Sequence, residues 1–520
     1  MESKLFRMTK TEFINNLIAM VSGLLCFCLG AGIYYINNYI SSLIMVLGFI
    51  GLYFYIVICT ADNNWLDISA CFTLVWGVTI GLASLRLTDY QKQWDILTWV
   101  CVALAYLMFY VGAFLGKKIV DVKHESIYKK EVNVKGYTLK RQDGRLFWIC
   151  FVITLIGIIC FVINVIIKGF IPFFSSSTTA YTDFYTKFYV FITAASMISG
   201  LSYYTLITQK NHWWKKAFLI FSIVYSTFFI PTIVVSRGMF LTSALSLLAV
   251  VFYMHKRRFI ILCLGVMIIF AFYALGTVGR GYTSAQLDEI FEPTKIETVK
   301  PNDTTESGSN SGVSGSGSNN GVSGSGGENA EPSGFQLSGK LAFVYSYLTV
   351  SHDNFNEAII NKTDYTYGIR QIIPFNTILR IGWIETQVDN AQTYLVRPHL
   401  NTINLVGYAY YDFGIAGVAV LTFLWATLFG IIQAWAIKGN KPFGLLTLGN
   451  TLSPVILCFF TPWMSIFSHW MHWGLILIMF LVGCITKKDK SDLSDKNIED
   501  TTNSAGCEYT NADITKEEKV

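Results

Sequence analysis

The sequence predicts an all-α, polytopic integral membrane protein with about 12 transmembrane helices and one large external loop. Three observations predict it. Hydrophobic residues make up 53% of the 520 and charged residues only 14%, too little charge to solvate a soluble chain of this size. Apolar runs of about 20 residues, long enough to cross roughly 30 Å of hydrocarbon, recur near 13–36, 40–60, 66–86, 96–116, 147–168, 188–208, 217–235, 238–254, 259–278, 413–437, 443–461 and 466–485. With those crossings counted, the basic short loops all fall on one side, which the positive-inside bias makes the cytoplasm.

Taken in order, the N-terminal tail carries Lys4, Arg7 and Lys10, and the first apolar segment reads as a retained span. The 117–145 loop is the most basic, from Lys117 and Lys118 to Arg141 and Arg145. Lys210, Lys215 and Lys216, then Lys256, Arg257 and Arg258, then Lys438 and Lys441, then Lys487 and Lys488 mark the later cytoplasmic turns. Both termini are expected in the cytoplasm, and the membrane is expected to be the plasma (inner) membrane. The cysteines sit mostly inside spans and none lies in the large loop, so no disulfide framework and no metal site is expected.

After residue 278 the chain is expected to stay outside until about 401. Residues 288–339 are acidic and low in complexity, with GVSGSG at 312–317 and again at 321–326. That composition buries too little surface to order itself and reads as a tether. Residues 340–401 differ. Leu341, Val344, Tyr345 and Leu348 recur at helical spacing and predict an amphipathic helix on the outer surface. A second such element follows, interrupted by Pro374, and the tail 486–520 is expected to be disordered.

A charge inside lipid costs about 2.5–3.5 kcal/mol, and the span interiors offer little polarity beyond Asn164, Asn404 and Asn450. Arginines collect instead at the outer ends: Arg237, Arg280, Arg370, Arg380 and Arg397. Each alone reads as an interfacial anchor. Together, on the side that the basic bias disfavours, they point to an anionic ligand, and guanidinium suits phosphate because its fork binds two oxygens. Acceptors and bases lie nearby in sequence. His352, Asp353, Asn354, Asn356 and Glu357 form SHDNFNE, for which a solvated helix end is the alternative, and His399, Asn401 and Asp412 flank the last re-entry. Tyr345, Tyr347, Trp383, Tyr394, Tyr408, Tyr410 and Tyr411 could stack on sugar rings or form an interfacial belt. His469 and His472, one turn apart, suggest no third metal ligand.

SRGMF at 236–240, residues 343–356 and the run from Arg397 to Gly417, together with the topology, resemble the oligosaccharide repeat-unit polymerases (O-antigen polymerase, Wzy-type). More distantly the chain is similar to the O-antigen ligases, whose loop carries Arg and His-Asn ahead of acidic-x-Gly-x-x-Gly. Arg397, His399, Asn401, Asp412, Gly414 and Gly417 stand in those places, with Leu400 between His399 and Asn401. The resemblance implies a glycosyltransferase without cofactor, joining undecaprenyl-diphosphate-linked oligosaccharide repeat units into an O-antigen, capsule or exopolysaccharide. It implies the lipid-linked oligosaccharide as partner, a flippase and a chain-length regulator as neighbours, and no nucleic acid. In that frame Arg237, Arg280, Arg397, Arg370 and Arg380 bind diphosphate. Asp412, His399 or Asp353 is the base, and His352, Asn354, Asn401 and Tyr411 contact sugar. A ligase, or a flippase or other transporter of the same lipid, remains the alternative.

Overall fold

The computed structural model describes residues 10–59, 64–131, 144–175, 183–209, 211–255, 257–278, 337, 339–362, 364–379, 381–390, 393–397, 400–439 and 442–484. Among them every element is helical. In chain order these are α1 Lys10–Tyr34, α2 Asn38–Cys59, α3 Ile68–Ala83, α4 Ile96–Glu131, α5 Arg145–Lys168, α6 Tyr189–Ser196 and α7 Ile198–Thr208. Then come α8 Trp213–Val224, a π-helical turn Tyr225–Phe229, α9 Ile230–Ile233, α10 Arg237–Met254 and α11 Arg258–Val278. The last are α12 Gly339–Asn361, α13 Ile369–Leu379, α14 Gly382–Asn390, α15 Gly407–Gly439, α16 Pro442–Ile456 and α17 Phe467–Cys484. The expected tether at 288–339 and the tail at 486–520 lie almost wholly outside the described residues.

Among the described residues, seven helical stretches are long and apolar enough to cross a membrane: Phe13–Tyr34, Asn38–Cys59, Ile96–Val120, Arg145–Lys168, Tyr189–Thr208, Trp213–Ile233 and Gly407–Ile437. Four shorter apolar helices, Ile68–Ala83, Gly238–Met254, Arg258–Ile268 and Phe467–Val482, accompany them. The chain is a multi-pass membrane protein. α5 shows why its sequence forms a lipid-facing helix. Cys150, Thr154, Gly157, Cys160 and Asn164 face inward at three- to four-residue spacing, while Val152, Ile159, Val162 and Ile166 are exposed. Small and polar side chains turned to the protein and branched apolar ones turned outward is the arrangement that lipid, not water, selects.

The central seam is α4 against α15. A Cβ on Gly112 would stand 2.5 Å from the Phe423 carbonyl oxygen, one on Gly116 would strike the Thr427 carbonyl, and one on Gly430 the Ala113 carbonyl. Contacts that advance together along both helices mean the two run parallel. Gly112 and Gly116 are a small-xxx-small pair that lets the backbones touch.

The two ends of α4 are chemically distinct. Near its start, Thr98 Oγ1 donates to Asn356 Oδ1 at 2.7 Å. Nineteen residues on, about 28 Å at 1.5 Å per residue, Lys117 Nζ is 2.6 Å from Asp67 Oδ2. Asp67 caps α3 through Ser69 N and Ala70 N and also accepts from Gln433 Nε2 at 3.0 Å. That separation matches the hydrocarbon thickness.

α12 is buried far more completely than the solvated helix end considered for SHDNFNE would be. Its polar residues are buried along with its apolar ones: Ser346, Thr349, Ser351, His352, Asp353, Asn354, Asn356 and Glu357 are all buried, and so are Tyr345, Val350, Phe355, Ala358 and Ile359. Leu341, Val344 and Ile360 are exposed, at 67%, 56% and 52%. SHDNFNE is therefore no solvated helix end. Its hydrogen-bonding partners come from α3, the α3–α4 connection, the start of α4, residues 396–404 and the Phe459 carbonyl, and periodicity alone cannot say which face meets them.

The span interiors are also more polar than their lack of charge suggested. A hydroxyl seam joins α5, α7, α8 and α10. Thr154 Oγ1 is 2.8 Å from Ser222 Oγ, Ser202 Oγ is 3.0 Å from the same atom, and Ser199 Oγ is 3.3 Å from Ser243 Oγ. Ser243 Oγ lies 2.7 Å from the Ser196 carbonyl, where α6 breaks, and 3.1 Å from the Ser226 carbonyl in the π turn. At one edge His472 Nε2 is 3.0 Å from the Thr193 carbonyl, so that nitrogen carries the proton. Its Nδ1 lies 3.2 Å from Asn450 Oδ1, and Asn450 Nδ2 has no hydrogen-bond partner.

Candidate functional site

Two polar clusters lie at the α12 end of the bundle, and the residues singled out in the sequence divide between them.

The first is the buried face of α12. Asp353 accepts from Trp94 Nε1 and Gln91 Nε2, each at 2.9 Å. Burial pushes its carboxyl up to about 7, the Trp94 and Gln91 hydrogen bonds oppose that rise, and nearby Glu357 adds to it. His352 places Nε2 3.0 Å from Thr79 Oγ1 and Nδ1 3.2 Å from Asn404 Nδ2, and burial holds the ring neutral, down at about 3. Asn354 donates to the Leu400 and Thr402 carbonyls at 2.6 and 2.7 Å and accepts from Val396 N at 2.8 Å. Asn356 accepts from Asp95 N at 2.9 Å. Arg397 belongs to the rim of this cluster. Its Nη2 is 2.5 Å from Asp89 Oδ2 and its guanidinium lies over the Tyr90 ring, 5.6 Å from the centroid. The polar side-chain atoms of Asp353, His352 and Asn354 are all engaged, while Asn404 Oδ1 and Thr402 Oγ1 have no hydrogen-bond partner, and the cluster pins α12 to the loops on both sides of it.

The second cluster forms where α12 ends and α15 begins. Asp412 is 0% exposed. Its Oδ1 accepts from Thr366 Oγ1 at 2.5 Å and from Arg370 N at 3.2 Å, while Oδ2 has no hydrogen-bond partner. The local backbone explains the position. Gly414 adopts φ 61° inside α15 and kinks it, a conformation that favours glycine. Beside the kink, the Tyr411 and Asp412 carbonyls accept from Thr366 N and Tyr367 N at 3.0 and 3.1 Å. The kink thus docks the segment after α12 onto α15 and carries Thr366 to the carboxylate.

Cations and rings complete the cluster. Arg370, 5% exposed, lies over the Tyr411 ring at 4.1 Å and the Tyr408 ring at 5.2 Å, and both its Nη atoms are 3.2 Å from Thr393 Oγ1. Lys362 lies over the Tyr365 ring at 4.3 Å and the Tyr411 ring at 5.5 Å and donates to the Asp364 carbonyl. Tyr411 OH accepts from Tyr394 N at 2.8 Å. One ring is thus shared by two cations beside a buried carboxylate, an arrangement that cation–π attraction favours.

Asp412, Arg370 and Tyr411 are brought together; Asp353, His352 and Asn354 form the other cluster with Arg397 at its edge. Asn401 is exposed near them. Arg280, Arg380 and His399 lie outside the described residues, and of Arg237 only the backbone is described, opening α10 behind the Ser236 cap. Lys362, Thr366 and Thr393 were missed from sequence. For Lys362 and Thr366 the signal was there in NKTDYTYG, a cation and four hydroxyl residues ending in Gly368 at φ 92°. Among the described residues no three metal-ligating side chains cluster, His469 and His472 included.

No protein-family model, no curated protein and no solved structure matches the chain.

Proposed function

We propose that this chain is a glycosyltransferase that joins undecaprenyl-diphosphate-linked oligosaccharide repeat units into a surface polysaccharide at the outer face of the plasma membrane. One observation carries the reading. Asp412 is a fully buried carboxylate with one oxygen held and the other without a partner, and Arg370, Lys362 and a group of tyrosines surround it. An acceptor hydroxyl meeting Oδ2 would give up its proton as its oxygen bonds to the anomeric carbon. The bond from that carbon to the diphosphate breaks, and its electron pair leaves with the phosphate. Positive charge held in a partly dry site stabilises that departure. The tyrosines offer flat faces to sugar rings.

In this reading Asp353, His352, Asn354 and Arg397 hold the scaffold rather than touch substrate, because their polar atoms are already engaged. Twelve crossings are supported by the seven long spans, the four shorter apolar helices and α16. They put Lys117 and both termini in the cytoplasm and α12 to α14 outside. A ligase would share the same carboxylate and cations.

A transporter of the same lipid is favoured by one specific feature, the buried hydroxyl seam of Ser196, Ser199, Ser202, Ser222 and Ser243. Deletion of the gene separates the readings. A polymerase leaves single repeat units on an outward-facing carrier, a ligase leaves full-length polymer on the carrier, and a transporter leaves single units facing the cytoplasm. Either of the last two results removes the proposal.

A further inference from the structure

The arginines of the two clusters are committed. Arg397 is paired with Asp89, and Arg370 is 5% exposed, lies over two tyrosines and is bonded to Thr393. Lys362 differs. It is only partly buried, at the end of α12, and its neighbours Tyr365 and Tyr367 are 44% and 78% exposed. A lysine ammonium has three N–H donors. This one gives one to the Asp364 carbonyl and rests on two ring faces, so donors remain for an anion arriving from the open side.

We infer that Lys362 is the cation that contacts the phosphate of a lipid-linked diphosphate, with Arg370 behind it as a fixed positive charge across the Tyr411 ring. This rests on the reading of Asp412 given above and adds to it the residue that recognises the leaving group. Two further facts support it. Burial, together with the nearby positive charge of Arg370, brings the Lys362 ammonium down to about 8. A second anion beside Asp412 relieves that repulsion. The long flexible stem suits a group that must take hold of a diphosphate and release it.

The test is binding of inorganic diphosphate to the purified full-length protein in detergent, by calorimetry at pH 7. The wild type should bind. Lys362→Arg should bind within about threefold of it, and Lys362→Met should lose at least tenfold. Farnesyl diphosphate should compete, and phosphatidylglycerol in the same micelles should not. A wild type that does not bind, or a Lys362→Met variant that binds as well as wild type, overturns the inference. Equal competition by phosphatidylglycerol also overturns it, making the ligand a phospholipid headgroup. If Lys362→Met loses diphosphate while cells carrying it make normal polymer, the anion site stands and the polymerase reading fails.

Discussion

Thr366 donates its hydroxyl to Asp412 Oδ1 at 2.5 Å, tying the segment after α12 to the kinked start of α15. Only one carboxylate oxygen is held this way, so the bond aims the other. Thr366→Val keeps the shape and removes the donor. A hydrogen bond to a charged group is worth about 1.5–3 kcal/mol, so polymer formation should fall about tenfold or more. Protein level should stay unchanged, and surface-polysaccharide yield against an immunoblot checks both.

At the far end of α4, Lys117 and Asp67 form a buried pair, their side chains 25% and 5% exposed. Lys117→Met leaves the Asp67 carboxylate without its cation. Removing one partner of such a pair costs about 3–5 kcal/mol, and the melting temperature in detergent should drop accordingly. Diphosphate binding at the opposite end should be unchanged in protein that remains folded.

Asp353 makes stability depend on pH. Its folded pKa, about 7, lies above the ordinary 3.8, so the native state holds the proton more tightly than the unfolded chain does. The stabilisation is complete below about pH 4 and is lost as pH rises through 7. Thermal stability should therefore fall between pH 5 and pH 8, and Asp353→Asn should flatten that stretch of the profile.

The charge on Lys362 sets a second pH dependence. The groups facing it are Arg370, Asp412, Asp364, Tyr365 and Tyr411. Below about 8 the lysine is cationic, so the ratio of wild-type to Lys362→Met affinity, in which the titration of diphosphate itself cancels, should hold steady from pH 6 to 7 and fall above 8. Lys362→Arg should extend the plateau upward, because guanidinium does not titrate there. Calorimetry across that range checks it.

Gly116 faces the Thr427 carbonyl across the α4–α15 seam with no room for a side chain. Gly116→Leu should separate the two helices and cost at least the 1–3 kcal/mol typical of overpacking. Loss of the monodisperse peak in size-exclusion chromatography reads it out.

Much of the helical framework was legible in the sequence, because a 20-residue apolar run has few other uses. The α5 span expected at 147–168 is Arg145–Lys168, and the one expected at 238–254 is Arg237–Met254. The candidate site was legible only in part. Asp412, Arg370 and Tyr411 were all singled out, but nothing in one dimension joined Arg370 to Tyr411 and left Arg397 with Asp89. Such pairings depend on how the segments after α12 fold back, and the Gly414 kink decides that. The burial of α12 on all sides was missed because helical spacing identifies two faces without saying how much of each meets protein. The hydroxyl seam was missed because serine and threonine carry no charge, and their usual role in helices is to bond their own backbone.

The most direct test of the central claim replaces Asp412 by Asn at the native locus and sizes the glycans extracted on their lipid carrier. Asn keeps the volume and an acceptor for Thr366 but cannot take a proton from a hydroxyl. The account predicts normal protein level, no long polymer, and single repeat units on an outward-facing carrier. Full-length polymer at wild-type abundance in that strain would contradict it.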